Sequence, residues 1–162
     1  MKTLFFSLMV ILVFGCYGID PVNTTHIGKK LPSFNILDKD STVFSTQQIP
    51  EGQPLVLFYF SPYCPYCRAQ MEDIIGNIES LKDIKFYMVT SFPYQDMVKF
   101  LKHYKVEKYP NISVGVDMQN YFSSYFDAKG VPATAIFNKE KKLNAFFMGQ
   151  MDVRQIKEVA EQ

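Results

Sequence analysis

Apolar positions in this chain fall into two patterns: short unbroken runs, and residues spaced three or four apart. Leu55 to Phe60 is an unbroken run, the signature of a central strand buried on both faces. Ile84 to Val89, interrupted by Lys85, reads as a second buried strand and Ile112 to Val116 as a further short one. Between the first two, Met71, Ile74, Ile75, Ile78 and Leu81 recur at helical spacing, which predicts an amphipathic helix from about Cys64 to Leu81. Gly76 marks a candidate bend within it. Met97, Val98, Leu101 and Tyr104 predict a helix over about 94–104, and Tyr121 to Phe126 a short aromatic one. Ala133 to Phe137 and Leu143 to Met148 read as a hairpin around the charged turn Asn138 to Lys142. Val153, Ile156, Val159 and Ala160 close the chain as a helix with Asp152 as its N-cap. Upstream, Phe34 to Leu37 and Thr42 to Phe44 flank Asp38-Lys39-Asp40 as an N-terminal hairpin. This order predicts an α/β domain of three layers, with a mixed central sheet flanked by helices and an N-terminal β-hairpin extension.

The first residues have a different pattern. Lys2 is followed by Leu4 to Phe14, apolar apart from Ser7. That is too short for a stable span and fits an export signal over residues 1–18. Val13-Phe14-Gly15-Cys16 resembles a bacterial lipobox, which makes Cys16 a candidate lipidation site; simple cleavage after Gly18 is the alternative. One lipidated cysteine would anchor the protein without a spanning helix. Residues 19–26 read as a polar tether and 27–162 as the folded domain.

Composition narrows the function. The 162-residue chain has a net charge of +1. That balance argues against nucleic acid as a partner, since phosphate binding needs a basic surface. Lys139, Lys141 and Lys142 cluster, but Glu140 interrupts them, and they read as a solvated hairpin turn. A single domain of this kind is expected as a monomer. Of three cysteines, one lies in the leader and two in Cys64-Pro65-Tyr66-Cys67, so no framework of structural disulfides is available.

The two paired cysteines carry the candidate chemistry. They follow a buried strand directly and open a helix. A helix N-terminus presents unpaired N–H groups and partial positive charge, which stabilise a thiolate. Free thiols titrate near pKa ~8.5, and C-x-x-C sites run from ~3.5 to ~7. Cys64 at the turn is the candidate nucleophile, and Cys67, one turn on, the candidate resolving thiol. Pro65 removes one N–H donor from the same turn. Tyr63 and Tyr66 would collar Cys64 with apolar surface. A permanently closed disulfide and a metal site are the alternatives; for the latter only His26 and His103 could join the cysteines, without ligand spacing, so no metal or cofactor is expected.

With these residues the chain resembles the thioredoxin superfamily, and within it the TlpA/ResA-type, redoxin-like exported thiol–disulfide oxidoreductases. The resemblance rests on the strand and loop Leu55 to Arg68, on Gly130-Val131-Pro132-Ala133-Thr134, and on Gly149 after the last strand. The opening Ile27 to Phe34 is similar to the start of the redoxin branch. The resemblance implies that Pro132 is a cis-proline facing the dithiol and that Val131 offers its backbone to an extended substrate peptide. It also implies protein disulfide or dithiol substrates, an upstream electron-donor protein, a cell-envelope or periplasmic location, and work as a reductant. The chain departs from the family at four places. Phe58 replaces the buried acid of thioredoxins, Gln70 stands where TlpA-type proteins have glutamate, Tyr63 replaces tryptophan, and Pro65-Tyr66 is the dipeptide of glutaredoxins. Proton handling then falls to water or to a more distant group such as Glu72, whose alternative reading is a solvated helix residue.

Two other functions compete. A peroxiredoxin-type peroxidase needs a proline seven residues before its cysteine and a Thr or Ser three before; these positions are Leu57 and Ser61. A non-catalytic thioredoxin-fold module would present a peptide groove and bind unchanged without its cysteines.

Overall fold

The computed structural model describes residues 18–162. Residues 1–17 of the leader, Cys16 among them, lie outside the described residues. The strands are β1 (Asn35–Asp38), β2 (Val43–Ser45), β3 (Leu55–Tyr59), β4 (Lys85–Thr90), β5 (Ile112–Val116), β6 (Ala133–Phe137) and β7 (Leu143–Met148). The helices are α1 (Pro65–Gly76), α2 (Tyr94–Tyr104), α3 (Tyr121–Phe126) and α4 (Val153–Ala160). All strands join one sheet in the order β2-β1-β5-β4-β3-β6-β7. β3, β4 and β5 are parallel, while β1 and β6 pair antiparallel with β5 and β3. The mixed sheet and the N-terminal hairpin are therefore as the pattern predicts.

Because strand side chains alternate between faces, β3 feeds two cores. Val56 and Phe58 pack with Cys67, Met71 and Ile74 of α1 and with Met97 and Phe100 of α2. Leu55, Leu57 and Tyr59 pack on the other face with Phe34 and with Phe122 and Phe126 of α3. All five β3 residues are buried, so the strand that delivers the cysteine pair is fixed from both sides. The hairpin closes on β5 through Gly115: a Cβ there would lie 2.2 Å from Ile36 Cγ2 and 2.8 Å from the Leu37 carbonyl oxygen.

Three details differ from the sequence pattern. The single helix expected from Cys64 to Leu81 ends at Gly76, and a 3-10 turn follows over Ile78–Leu81. Asn77 stops it, its side chain donating to the Asp73 carbonyl at 2.9 Å. Residues 19–26, expected as a tether, run along the body: Val22 N–H donates to the Phe146 carbonyl at 2.7 Å, and Gln155 brackets the Ile19 backbone. The basic turn is not wholly solvated. Lys141 takes a left-handed φ of 56° and is 8% exposed, because the segment carrying Lys30 and Leu31 folds over it; Leu31 N–H donates to its carbonyl at 2.9 Å. Burial pushes the Lys141 amine below its ordinary range. Among the described residues, no helix is long and apolar enough to cross a membrane.

Candidate active site

The turn that carries the cysteines is built by backbone bonds at the end of β3. Phe60 N–H donates to the Val89 carbonyl at 2.9 Å, which holds the exit against β4. The Ser61 carbonyl accepts from Cys64 N–H at 3.2 Å, and its hydroxyl accepts from Tyr63 N–H at 3.2 Å. α1 then opens on Pro65, whose fixed φ suits a first helical turn and whose missing N–H is no loss there. Cys64 is thereby the N-cap residue, with φ −76° and ψ 122°. An N-cap side chain sits beside the free N–H groups of the first turn, and here that side chain is a thiol.

The two cysteines differ sharply in environment. Cys64 is half-buried, whereas Cys67 has no exposed surface. Burial pushes the Cys67 thiol up to about 12; the Ser61 backbone pulls the other way, and the neighbouring Cys64 adds to the rise. Both cysteines are free thiols. Near neutral pH the buried sulfur therefore keeps its proton, and the outer sulfur is the one a visiting molecule meets.

The loop before β6 faces this pair. The Val131–Pro132 peptide bond is cis, and Cys64 Sγ donates to the Val131 carbonyl at 3.7 Å. The Pro132 carbonyl accepts from Gly149 N–H at 2.8 Å. The segment after Gly149 is in turn tied to α1. Gln70 Oε1 accepts from Met151 N–H at 2.6 Å, and Gln150 Nε2 donates to Asp73 Oδ2 at 3.0 Å. The loop and the helix thus share one clamp, and their relative position is set by it.

The structure brings Cys64, Pro65, Cys67, Val131 and Pro132 together. Tyr66 and Tyr63 flank Cys64 in the chain and are 65% and 60% exposed, and Tyr63 packs edge-on to Phe92 at 5.6 Å. Glu72 is not brought to the pair. It lies exposed on α1 and accepts from the Tyr104 hydroxyl at 3.4 Å. Sequence reasoning missed the structural use of Gln70, whose partner lies 81 residues away. It also missed Ser61 as the turn-builder, although a serine just before a turn is a recognisable signal.

Residues 27–146 match the AhpC/TSA family. No curated protein sequence is significantly similar to the chain. Among solved structures, it is similar to StoA from Bacillus subtilis, at 18% identity over 80% of this chain and 97% of that one, with a TM-score of 0.61. It is similar to the thioredoxin domain of a thiol-disulfide oxidoreductase from Bacteroides vulgatus, at 16% identity over 85% and 100%, TM-score 0.68. A secreted disulfide oxidoreductase of Mycobacterium tuberculosis matches at 17% identity over 78% and 94%, TM-score 0.63. The fold is therefore thioredoxin-like, and the chain belongs to the AhpC/TSA family.

Proposed function

We propose that the protein exchanges its Cys64–Cys67 dithiol with disulfides of protein substrates in the cell envelope, as a reductant. The observation that carries this is the asymmetry of the pair. An accessible sulfur at a helix N-cap stands beside a buried sulfur that holds its proton near neutral pH. Cys64 as thiolate attacks one sulfur of the substrate disulfide, and the other substrate sulfur leaves as a thiol after taking up a proton. Cys67 then attacks Cys64, its proton passing to the second substrate sulfur as that bond breaks. Two electrons have moved, the substrate carries two thiols, and Cys64–Cys67 is a disulfide. A donor protein must reduce it again.

Val131 is the substrate-backbone contact in this reading. Its carbonyl already meets Cys64 Sγ, and an extended peptide laid there would pair as an added strand. Tyr63 and Tyr66 supply apolar walls. Envelope location, the lipid anchor at Cys16 and the reductant direction rest on the leader and on the TlpA/ResA resemblance. The peroxidase reading has weaker support: Leu57, at the position where it needs proline, is fully buried in β3, and the Ser61 hydroxyl is taken by Tyr63 N–H. Insulin-disulfide reduction with a thiol donor tests the proposal. Cys64→Ser should abolish turnover, and turnover at the wild-type rate in that variant would reject it.

A further inference from the structure

A recess lies between the active-site turn and α2, lined on the turn side by Pro62 and Tyr63. In the sheet order, β3 stands between β4 and β6. The loop bearing Val131 precedes β6, and α2 follows β4, so the two flank β3 from opposite sides. The recess is a half-open cavity of about 300 Å³. Pro62 and Phe100 are buried residues of its lining, and Tyr63 separates it from Cys64 along the chain. Arg68, Lys99 and His103 bring basic groups to it, with Asp96 as the lining carboxylate.

The lining itself carries two fixed cations, Arg68 and Lys99, against one carboxylate, Asp96. Lys99 pairs with Asp96 at 3.4 Å. The nearby Glu72 accepts from the Tyr104 hydroxyl at 3.4 Å. Arg68 forms no ion pair among the described residues; its Nε donates to the Pro62 carbonyl at 2.9 Å. That bond fixes the plane of the guanidinium and leaves its two terminal nitrogens without an acceptor among the described residues, the arrangement that suits a carboxylate. Arg68 is also tied to the nucleophile, since its backbone N–H donates to the Cys64 carbonyl at 3.1 Å. It stands one helical turn on, about 6 Å along the axis.

We propose that this cavity is a substrate subsite for a carboxylate, and that Arg68 reads an acidic side chain close to the target cysteine of the substrate protein. The proposal rests on the thiol-exchange reading of Cys64 and deepens it. A peptide crossing Cys64 would set its backbone against Val131 on one side and an Asp or Glu into the cavity on the other. The protein would then favour acidic disulfide segments over neutral ones.

The test uses the chain without its leader and two peptides that differ only in Glu or Gln beside the cysteine, each joined by a disulfide to a chromogenic thiol. Wild type should turn over the Glu peptide with kcat/KM about threefold higher, the scale of one partly screened ion pair. The preference should shrink as salt rises. Arg68→Gln should bring the ratio close to one, and Arg68→Glu should invert it. Arg68 is exposed on α1, and the salt dependence of the wild type gives a second reading that needs no variant. Equal turnover of both peptides by wild type, or a ratio unmoved by Arg68→Glu, overturns the subsite while leaving thiol exchange standing. Failure to cleave either peptide overturns both.

Discussion

Removing Cys64 isolates the buried thiol and tests the asymmetry on which the mechanism depends. In the intact site, Cys67 is pushed from an ordinary 9.0 to about 12. At neutral pH this lowers its thiolate fraction about a thousandfold, since each pH unit is a factor of ten. Burial is the largest cause and Cys64 a smaller one. Cys64→Ala deletes the smaller cause and keeps the larger, so the Cys67 pKa should fall somewhat from about 12 and remain above 9.0. The sign for stability follows from the raised value. The protonated buried thiol contributes fully below pH 9.0, and the contribution is lost as pH climbs toward about 12, amounting to about 4 kcal/mol at ~1.36 kcal/mol per pH unit. The assay is the ultraviolet thiolate absorbance of Cys64→Ala across pH, with the Cys64→Ala/Cys67→Ala double variant subtracted to remove tyrosinate. A titration centred near the free-thiol value of ~8.5 would refute the reasoning.

Three further outcomes follow from the packing around the site. Gly115→Ala forces a Cβ into Ile36 and the Leu37 carbonyl, so the β1–β5 contact should open at a cost of about 1–3 kcal/mol; a denaturation midpoint equal to wild type would contradict this close approach. Gln70→Leu leaves the buried Met151 N–H without its acceptor, so stability should drop by about 1–3 kcal/mol, and urea unfolding of the reduced protein measures it. Gly149 has a φ of 106°, a region that costs a side chain about 1–3 kcal/mol. Gly149→Ala should therefore lower the thermal midpoint, and an unchanged midpoint would show that the turn tolerates a side chain.

What could be read from the chain was what local pattern determines. The run Leu55 to Phe60 announces a strand buried on both faces, and the cysteine spacing after it announces a helix-capped thiol pair, because both signals lie within consecutive residues. The Val131–Pro132 loop came from resemblance, not from periodicity. Its meeting with Cys64 joins residues 67 positions apart. The remaining surprises are of the same long-range kind. Lys141 looked like an exposed lysine until Leu31 folded over it. Gln70 looked like a missing base, yet its amide oxygen fastens Met151. Glu72 faces Tyr104 because the helix turns it away from the sulfurs. The recess under Arg68 exists only because α2 packs beside the active-site turn, and nothing in either segment alone marks it.

The most direct measurement is capture of the covalent intermediate. Cys67→Ser should hold a protein disulfide substrate in a mixed disulfide with Cys64, seen as a reducible mass adduct mapped to the Cys64 peptide, while Cys64→Ser should hold none. An adduct on Cys67 in Cys64→Ser, or no adduct in Cys67→Ser under conditions where the wild type reduces the same substrate, would contradict the assignment of Cys64 as the attacking sulfur.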